Sequence, residues 1–271
     1  MYVMARQMPE KQGRSVAPIG TPANDAAVVK SAARVLQVFE LFNDIERPAR
    51  AGEIAARLGY PQSSTSVLLK SLMQLGYLEF DNRERTFQPS TRVALLGAWR
   101  ASRGGSLTPI VDAMRELSVE TGMTITLASR TGLYAQYIHV LQATSTLRLD
   151  TPTGTNRLLV WSAAGFALIS DLEDSGIRLL VHRTQSDFPS TSRKITAAAV
   201  LDHVRSFRER GYFLSNELVT PGGGHISMRV PEAAQTRPLA IGMSGWIEDV
   251  LRDETHHVRA MRRALARLKR A

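Results

Sequence analysis

The chain has 271 residues, a formal net charge of +9 and no cysteine. Disulfides, thiolate nucleophiles, zinc fingers and thiol redox sensing are therefore excluded. With 44% hydrophobic and 22% charged residues it reads as an ordinary globular protein, and at roughly 100–200 residues per domain it has room for two domains.

Met1–Pro22 is polar and rich in Pro and Gly, with scattered Arg6, Lys11 and Arg14 and no apolar stretch. It reads as a disordered leader, residues 1–27, rather than a secretory signal. No apolar run approaches the roughly 18–20 residues of a membrane helix, so no membrane is expected as a partner and the cytoplasm is the expected compartment.

The first periodic segment is Val28–Asn43, where Ala32, Val35, Leu36, Phe39 and Phe42 recur at spacings of three and four and so share a helical face. Asn24 or Asp25 is suited to cap it. Ala51–Leu58 reads as a short second helix, ended by Gly59 in a left-handed conformation. Pro61 suits the first turn of a third helix, which runs to about Leu75 with Leu68, Leu72 and Leu75 inward. Tyr77–Phe80 and Thr86–Gln88 read as strands around a polar hairpin tip, Asp81–Arg85, and Pro89 closes the unit. Residues 28–90 thus form a helix, helix, tight turn, helix and hairpin. Thr91–Arg103 is a linker helix carrying Val93, Leu95, Leu96 and Trp99, and Gly104-Gly105 marks a boundary.

In residues 106–271 a helix is expected at Pro109–Thr121. Strands are expected at Met123–Ala128 and Leu133–Val140 around a turn at Thr131-Gly132, and a third at Leu147–Asp150. Thr151–Gly154 is a turn. Helices follow at Ser162–Leu172, with Ser162 as cap, and at Ala197–Arg210, stopped by Gly211. Strands fit Tyr212–Leu214, His225–Val230 and Leu239–Ser244, and Asp249–Lys269 is a long helix. Strands flanked by helices make this an α+β domain with an antiparallel sheet.

Charge supports a division of labour. Residues 1–105 carry net +5, residues 252–271 carry net +5, and the stretch between carries −1. A basic N-terminal unit fits a polyanionic partner, and the neutral middle calls for another job.

A helix-turn-helix buries Ala and Leu on the inner faces of two helices and presents small polar groups on the outer face of the second, so that its backbone can enter the major groove. Gln62, Ser63, Ser64, Ser66 and Lys70 supply such groups, with Val67 beside them. Hydroxyls and N–H groups at the helix start can bind phosphates. Gln62 is suited to pair with adenine, Lys70 to reach a guanine or a phosphate, and Val67 to touch a thymine methyl. Arg83 and Arg85 in the wing either hold the flanking backbone or enter the minor groove.

The run Lys30–Leu36, then Glu53–Gly59, Pro61–Thr65, Leu68–Leu72 and Leu75–Leu78, resembles the IclR family of bacterial transcriptional regulators. A looser resemblance continues through Ser162–Gly165 with Ala167-Leu168, Val204-Arg205 to Tyr212, and Ile241–Gly245. The resemblance implies an N-terminal winged helix-turn-helix, a linker helix and a GAF-like effector-binding domain. It implies a homodimer or dimer of dimers on a near-palindromic double-stranded operator, and a small carboxylic or aromatic acid as effector. It places the effector site at Gly154, Thr155, Ser215, Asn216, His225 and Ser244. Backbone N–H groups at Gly154-Thr155 would hold a carboxylate, and His225, titrating near neutrality, would pair with it. Two departures stand out: Val67 lies where the family usually has Arg, and Thr220–His225 is unusually rich in glycine.

Catalytic readings are weaker. Gly242–Trp246 lacks the spacing of a nucleophile elbow, and His256-His257 diverge on a helix instead of sharing a metal. No phosphate-binding glycine loop is present, and no cofactor or metal site is expected. The expectation is a ligand-responsive regulator, a repressor in preference to an activator. An enzyme with an N-terminal interaction module is the alternative.

Overall fold

The computed structural model describes residues 29–97, 107–144, 149–189, 195–232 and 237–268. The expected leader, the linker helix beyond Gly97 and the first two residues of the expected strand at Leu147 lie outside the described residues. The chain forms two compact units, one within Pro22–Ala113 and a larger one built from Met114–Arg229 and Pro238–Arg263.

In the N-terminal unit, α1 (Lys30–Ile45), α2 (Ala51–Leu58) and α3 (Gln62–Gln74) are followed by the antiparallel hairpin β1 (Leu78–Asp81) and β2 (Thr86–Pro89) and the short α4 (Thr91–Leu95). Gly59 ends α2 at φ 68°, a left-handed cap that a side chain would strain. The Pro61 carbonyl then accepts the Thr65 N–H at 3.1 Å and the Thr65 hydroxyl at 3.1 Å. That second bond is what lets a threonine be buried at the start of α3.

The core joins Val38, Leu41 and Phe42 of α1 to Ile54, Leu69, Leu72, Leu78 and Phe87. Each fully buried aliphatic side chain there contributes roughly 1.5–3 kcal/mol. The inner faces differ from the expected ones. Leu36 is 62% exposed while Val38 is fully buried, because the stripe that packs is Val35, Val38, Phe39, Phe42 and Ile45. α1 is apolar on more than one side, and spacing alone does not choose between them. Leu75 falls just past the end of α3 and is 60% exposed; Leu69 takes the buried place. Val29 precedes α1 without a side-chain cap, and the expected caps Asn24 and Asp25 lie outside the described residues.

In the larger unit, β3 (Thr124–Thr131), β4 (Tyr134–Leu141), β5 (Asn156–Leu158), β6 (Phe213–Asn216), β7 (Gly223–Arg229) and β8 (Leu239–Trp246) form one antiparallel sheet in the order β5-β4-β3-β8-β7-β6. Two meanders, β3-β4-β5 and β6-β7-β8, meet at the central β3/β8 pair. The third strand of the first meander is β5, not Leu147–Asp150; Leu149 and Asp150 have no regular structure. Three residues of mixed polarity carry no readable period, which is why β5 escapes a sequence search.

The helices are α5 (Thr108–Thr121), α6 (Ala163–Leu168), α7 (Asp174–Asp187), α8 (Ala197–Arg210), α9 (Ile247–Arg252) and α10 (Glu254–Leu268). Ser162 caps α6 by accepting the Gly165 N–H at 3.1 Å. α6 stops at Leu168, shorter than expected. It touches all six strands of the sheet. Gly165 makes this approach possible, since a methyl there would overlap the Leu159 backbone. α7 was not foreseen; its apolar face is only Ile177, Leu180 and Val181 in a polar sequence. The expected long C-terminal helix breaks at Asp253 into α9 and α10.

One sheet face carries Ala128, Ala135, Tyr137, Val140, Phe213 and Ala240 against α6, α7 and α8. The far end of the same face is polar. Among the described residues, no helix is long and apolar enough to cross a membrane.

Candidate nucleic-acid interface and ligand site

α3 turns Gln62, Ser63, Val67 and Lys70 to solvent, with Ser64 and Ser66 half-buried. Val67 is 65% exposed on this face. Ser64 donates its hydroxyl proton to the Pro61 carbonyl at 3.0 Å and Ser66 to the Gln62 carbonyl at 2.9 Å. Both serines therefore face outward as acceptors, whereas Gln62 and Lys70 keep free donors.

In the wing, Asp81 Oδ1 accepts the N–H groups of Arg83 at 2.7 Å and Glu84 at 3.0 Å. Arg85 adopts φ 56°. This tight turn holds both expected arginines exposed at the tip, above the Phe80–Phe87 contact at 4.7 Å.

Sequence reasoning missed Arg34 and Tyr60. The Arg34 guanidinium lies 4.7 Å from the centre of the Tyr60 ring, and the Tyr60 hydroxyl donates to Gln37 Oε1. They line a cleft of about 270 Å³ with Ser31, Ser64, Val67 and Ser71, between α1 and α3. Nothing in the local sequence links residues 26 positions apart.

In the larger unit, three of the expected ligand residues form a row. Ser215 on β6 pairs with His225 on β7, and His225 with Ser244 on β8. Directly opposed residues point to one face, so the register brings these three together. Asn216 does not join them: alternation turns it to the other face, where it is exposed.

Gly154 and Thr155 sit at the opposite edge, latched to β4. The Gly154 N–H donates to the Tyr137 carbonyl at 2.7 Å, and the Thr155 carbonyl accepts the Tyr137 N–H at 2.9 Å. The Thr155 N–H is turned to the Pro152 carbonyl at 3.2 Å. Both amides expected to hold a carboxylate are thus spent inside the chain. Gly154, at φ 85°, fixes a turn that positions Tyr137.

Tyr137, Arg157 and Thr126 were not foreseen. The Tyr137 ring stacks on His225 at 6.0 Å between centroids, with its hydroxyl 3.5 Å from His225 Nδ1. Arg157, paired with Ala135 on β5, lies on the same face. Thr126 pairs with Gly242 in the sheet centre. A side chain on Gly242 would run into both the His225 ring and Thr126 Oγ1, so the two polar groups lean over the bare glycine from either side.

His225 is half-buried as a residue, but its Nε2, like Thr126 Oγ1, is closed off from solvent and has no hydrogen-bond partner within the chain. Two such orphans side by side cost roughly 1–3 kcal/mol each unless a water or a bound group supplies their partner. Burial, reinforced by the Arg157 guanidinium, holds the His225 pKa down to about 4. Burial pushes the Tyr137 phenol up, and Arg157 opposes this. His225 is neutral at physiological pH, which corrects the expected near-neutral titration. Nothing in the local sequence singles out Arg157; only the placement of β5 reveals its neighbours.

The sequence profile of the IclR helix-turn-helix domain matches residues 31–82, and that of the bacterial transcriptional regulator IclR C-terminal domain matches residues 108–268. The chain is 23% identical over 260 residues to the acetate operon repressor of Salmonella typhimurium, covering 95% of this chain and 94% of the relative. It is 24% identical over 245 residues to the HTH-type transcriptional regulator BhcR of Paracoccus denitrificans, covering 90% and 86%. An IclR family transcriptional regulator from Brucella abortus superposes with a TM-score of 0.52 at 21% identity, over 90% of this chain and 93% of that one. An IclR transcriptional regulator from Alicyclobacillus acidocaldarius does so with a TM-score of 0.54 at 20% identity, over 89% and 98%.

Proposed function

Because the chain belongs to the IclR family of bacterial transcriptional regulators, we propose that it is a repressor whose hold on its operator responds to a small acid bound in the larger unit. That it is a DNA-binding regulator follows from its family. The finer reading is ours: residues 28–90 bind DNA, 91–105 connect, and 106–271 bind the effector and oligomerise. The protein acts in the cytoplasm as a homodimer or dimer of dimers on a near-palindromic operator.

Gln62, Ser63, Ser64, Ser66, Val67 and Lys70 meet the major groove, and Arg83 and Arg85 meet the flanking backbone or minor groove. Gly154, Thr155, Ser215, His225 and Ser244 frame the effector site. The observation that carries the ligand response is the pair of unpartnered buried atoms, Thr126 Oγ1 and His225 Nε2. The two atoms lie side by side over Gly242, which makes them a pair of acceptor and donor groups available to one small molecule.

An effector acts by binding the DNA-competent and incompetent states unequally. The test is a gel-shift titration on the intergenic DNA beside the protein's own gene at about 150 mM salt, with and without candidate acids. A specific site gains roughly 4–10 kcal/mol over random DNA. Equal affinity for the two DNAs overturns the specific-regulator reading. An acid that binds without changing operator affinity overturns the ligand response.

A further inference from the structure

α8 ends at Gly211, whose left-handed φ of 74° reverses the chain between Arg210 and Tyr212. Both side chains then reach the first turn of α10. The Tyr212 hydroxyl donates to Glu254 Oε1 at 2.7 Å, and Arg210 Nη2 donates to the same oxygen at 3.0 Å. A cleft of about 390 Å³ opens here, lined by Tyr212, Glu254, Thr255, Val258, Arg259 and Arg262. None of these residues belongs to the row of Ser215, His225 and Ser244.

The charge of the C-terminal helix is concentrated on this cleft. α10 carries four arginines, Arg259, Arg262, Arg263 and Arg267. Arg263 pairs with Glu120, and Arg267 is engaged within the chain. Arg259 and Arg262 are exposed, and no carboxylate among the described residues pairs with either. Three residues apart on a helix, they share one face. Arg262 is also held in place: its Nη2 donates to the Arg210 carbonyl at 2.8 Å, and its guanidinium lies 5.7 Å from the centre of the Tyr212 ring. Glu254, the acid of the cleft, is neutralised by Arg210 at 3.0 Å. Two positive charges are left unspent beside a concave surface with Val258 buried in its lining.

We infer that this cleft binds a small phosphate monoester, its phosphate between Arg259 and Arg262 and its organic group along Tyr212 and Val258. A phosphate monoester carries about −1.5 to −2 charges at pH 7 and three strong acceptor oxygens, which match two guanidinium forks. The cleft has room for roughly a dozen groups the size of water, well beyond a bare phosphate. A nucleic-acid backbone needs cations repeated along its length. On this face of α10 the flanking positions are Thr255 and Ala266, so the pair stands alone.

The test uses the full-length protein and calorimetric titration with phenyl phosphate, phenyl sulfate and inorganic phosphate. Phenyl phosphate is expected to bind best. Phenyl sulfate, of the same shape with one charge fewer, binds roughly tenfold more weakly. Inorganic phosphate, which makes no apolar contact, also binds roughly tenfold more weakly. Arg259→Gln weakens phenyl phosphate roughly tenfold, and the double variant Arg259→Gln/Arg262→Gln roughly 100-fold. Tyr212→Leu removes part of the preference for phenyl phosphate over inorganic phosphate. Arg259 anchors no other residue, so Arg259→Gln is expected to melt within a few degrees of the unaltered protein, and the ranking of the three probes on the unaltered protein stands without any variant. No binding of phenyl phosphate at about 10 mM, or phenyl sulfate binding as tightly, overturns the ligand class. Arg259→Gln and the double variant binding phenyl phosphate as tightly as the unaltered protein overturn the site. A salt slope for random duplex DNA lowered by about two in the double variant overturns the small-ligand assignment in favour of nucleic acid.

Discussion

Tyr137 and His225 lie on strands separated by the two central strands of the sheet, yet their rings stack with 21° between planes. The contact spans β3 and β8 because the residue beneath it on β8, Gly242, has no side chain to fill the gap. The two meanders are thereby joined by a ring contact across the face as well as through the β3/β8 ladder.

The stacking has a pH consequence. His225 titrates near 6.5 in the unfolded chain and near 4 in the folded one, where burial and then Arg157 disfavour the cation. Below pH 6.5 the unfolded chain takes up the proton first, so stability is full above that pH and falls as pH drops toward 4. The loss attributable to this residue is at most about 3 kcal/mol. His203 and His257 shift in the same direction, also through burial, so the comparison must isolate His225. Urea melts at pH 7.5 and 5.0 are expected to differ less in His225→Gln than in the unaltered protein. Equal differences would remove His225 from the account.

Gly165 makes a sharper stability prediction. A methyl there would stand 2.6 Å from both the Leu159 carbonyl carbon and its Cα, backbone atoms that have no freedom to move aside. Gly165→Ala is expected to cost about 3 kcal/mol or more, measured by denaturant midpoint. A loss below about 1 kcal/mol would mean that α6 does not press on the chain there.

On the DNA side, Lys70 and Gln62 separate by kind of contact. Lys70→Ala at a phosphate weakens all sequences alike and lowers the salt slope by about one; at a guanine it costs roughly 1–3 kcal/mol at one position. Gln62→Ala relaxes discrimination at an adenine by a similar amount. Val67→Arg adds a cation to the exposed face and is expected to raise affinity for random DNA more than for the operator. Filter binding across a salt series reads all three, and unchanged affinity in both alanine variants would move the contact off α3.

Much of the architecture was legible because local rules and packing agree in it. The boundaries of α2 and α8 follow from their glycine caps, and Ser162 announces α6. In the inner stripe of α1, Val35, Phe39 and Phe42 were legible; the choice of Val38 over Leu36 was not, because both satisfy helical spacing and only the position of α2 and α3 decides. Ser215, His225 and Ser244 were found through family resemblance, and the strand register then brings them into one row. Arg157, Tyr137 and Thr126 stayed hidden because their meeting depends on β5, a strand too short to show a period, and on the cross-sheet reach of Tyr137. The amide grip at Gly154-Thr155 failed as an expectation for a similar reason. Whether a backbone N–H is free depends on a turn whose partner, Tyr137, lies some seventeen residues earlier in the chain.

Arg34 yields the last prediction. Its guanidinium is held over the Tyr60 ring, and the Tyr60 hydroxyl is itself tied to Gln37 on α1. A cation–π contact at an exposed site is worth only about 0.5–1 kcal/mol, too little to explain stability but enough to restrict the arginine to few rotamers. A pre-ordered cation beside the cleft that Ser64 and Val67 of α3 also line loses less entropy on meeting a phosphate than a free surface arginine does. Arg34→Ala is therefore expected to weaken operator and random DNA by the same factor, lower the salt slope by about one, and leave the melting temperature within a few degrees. Tyr60→Leu keeps the charge and releases the ring contact, so it should retain the salt slope while losing part of the affinity. Should Arg34→Ala leave DNA affinity unchanged, the cleft does not face the duplex and the Arg34–Tyr60 pair serves only to join α1 to the turn before α3.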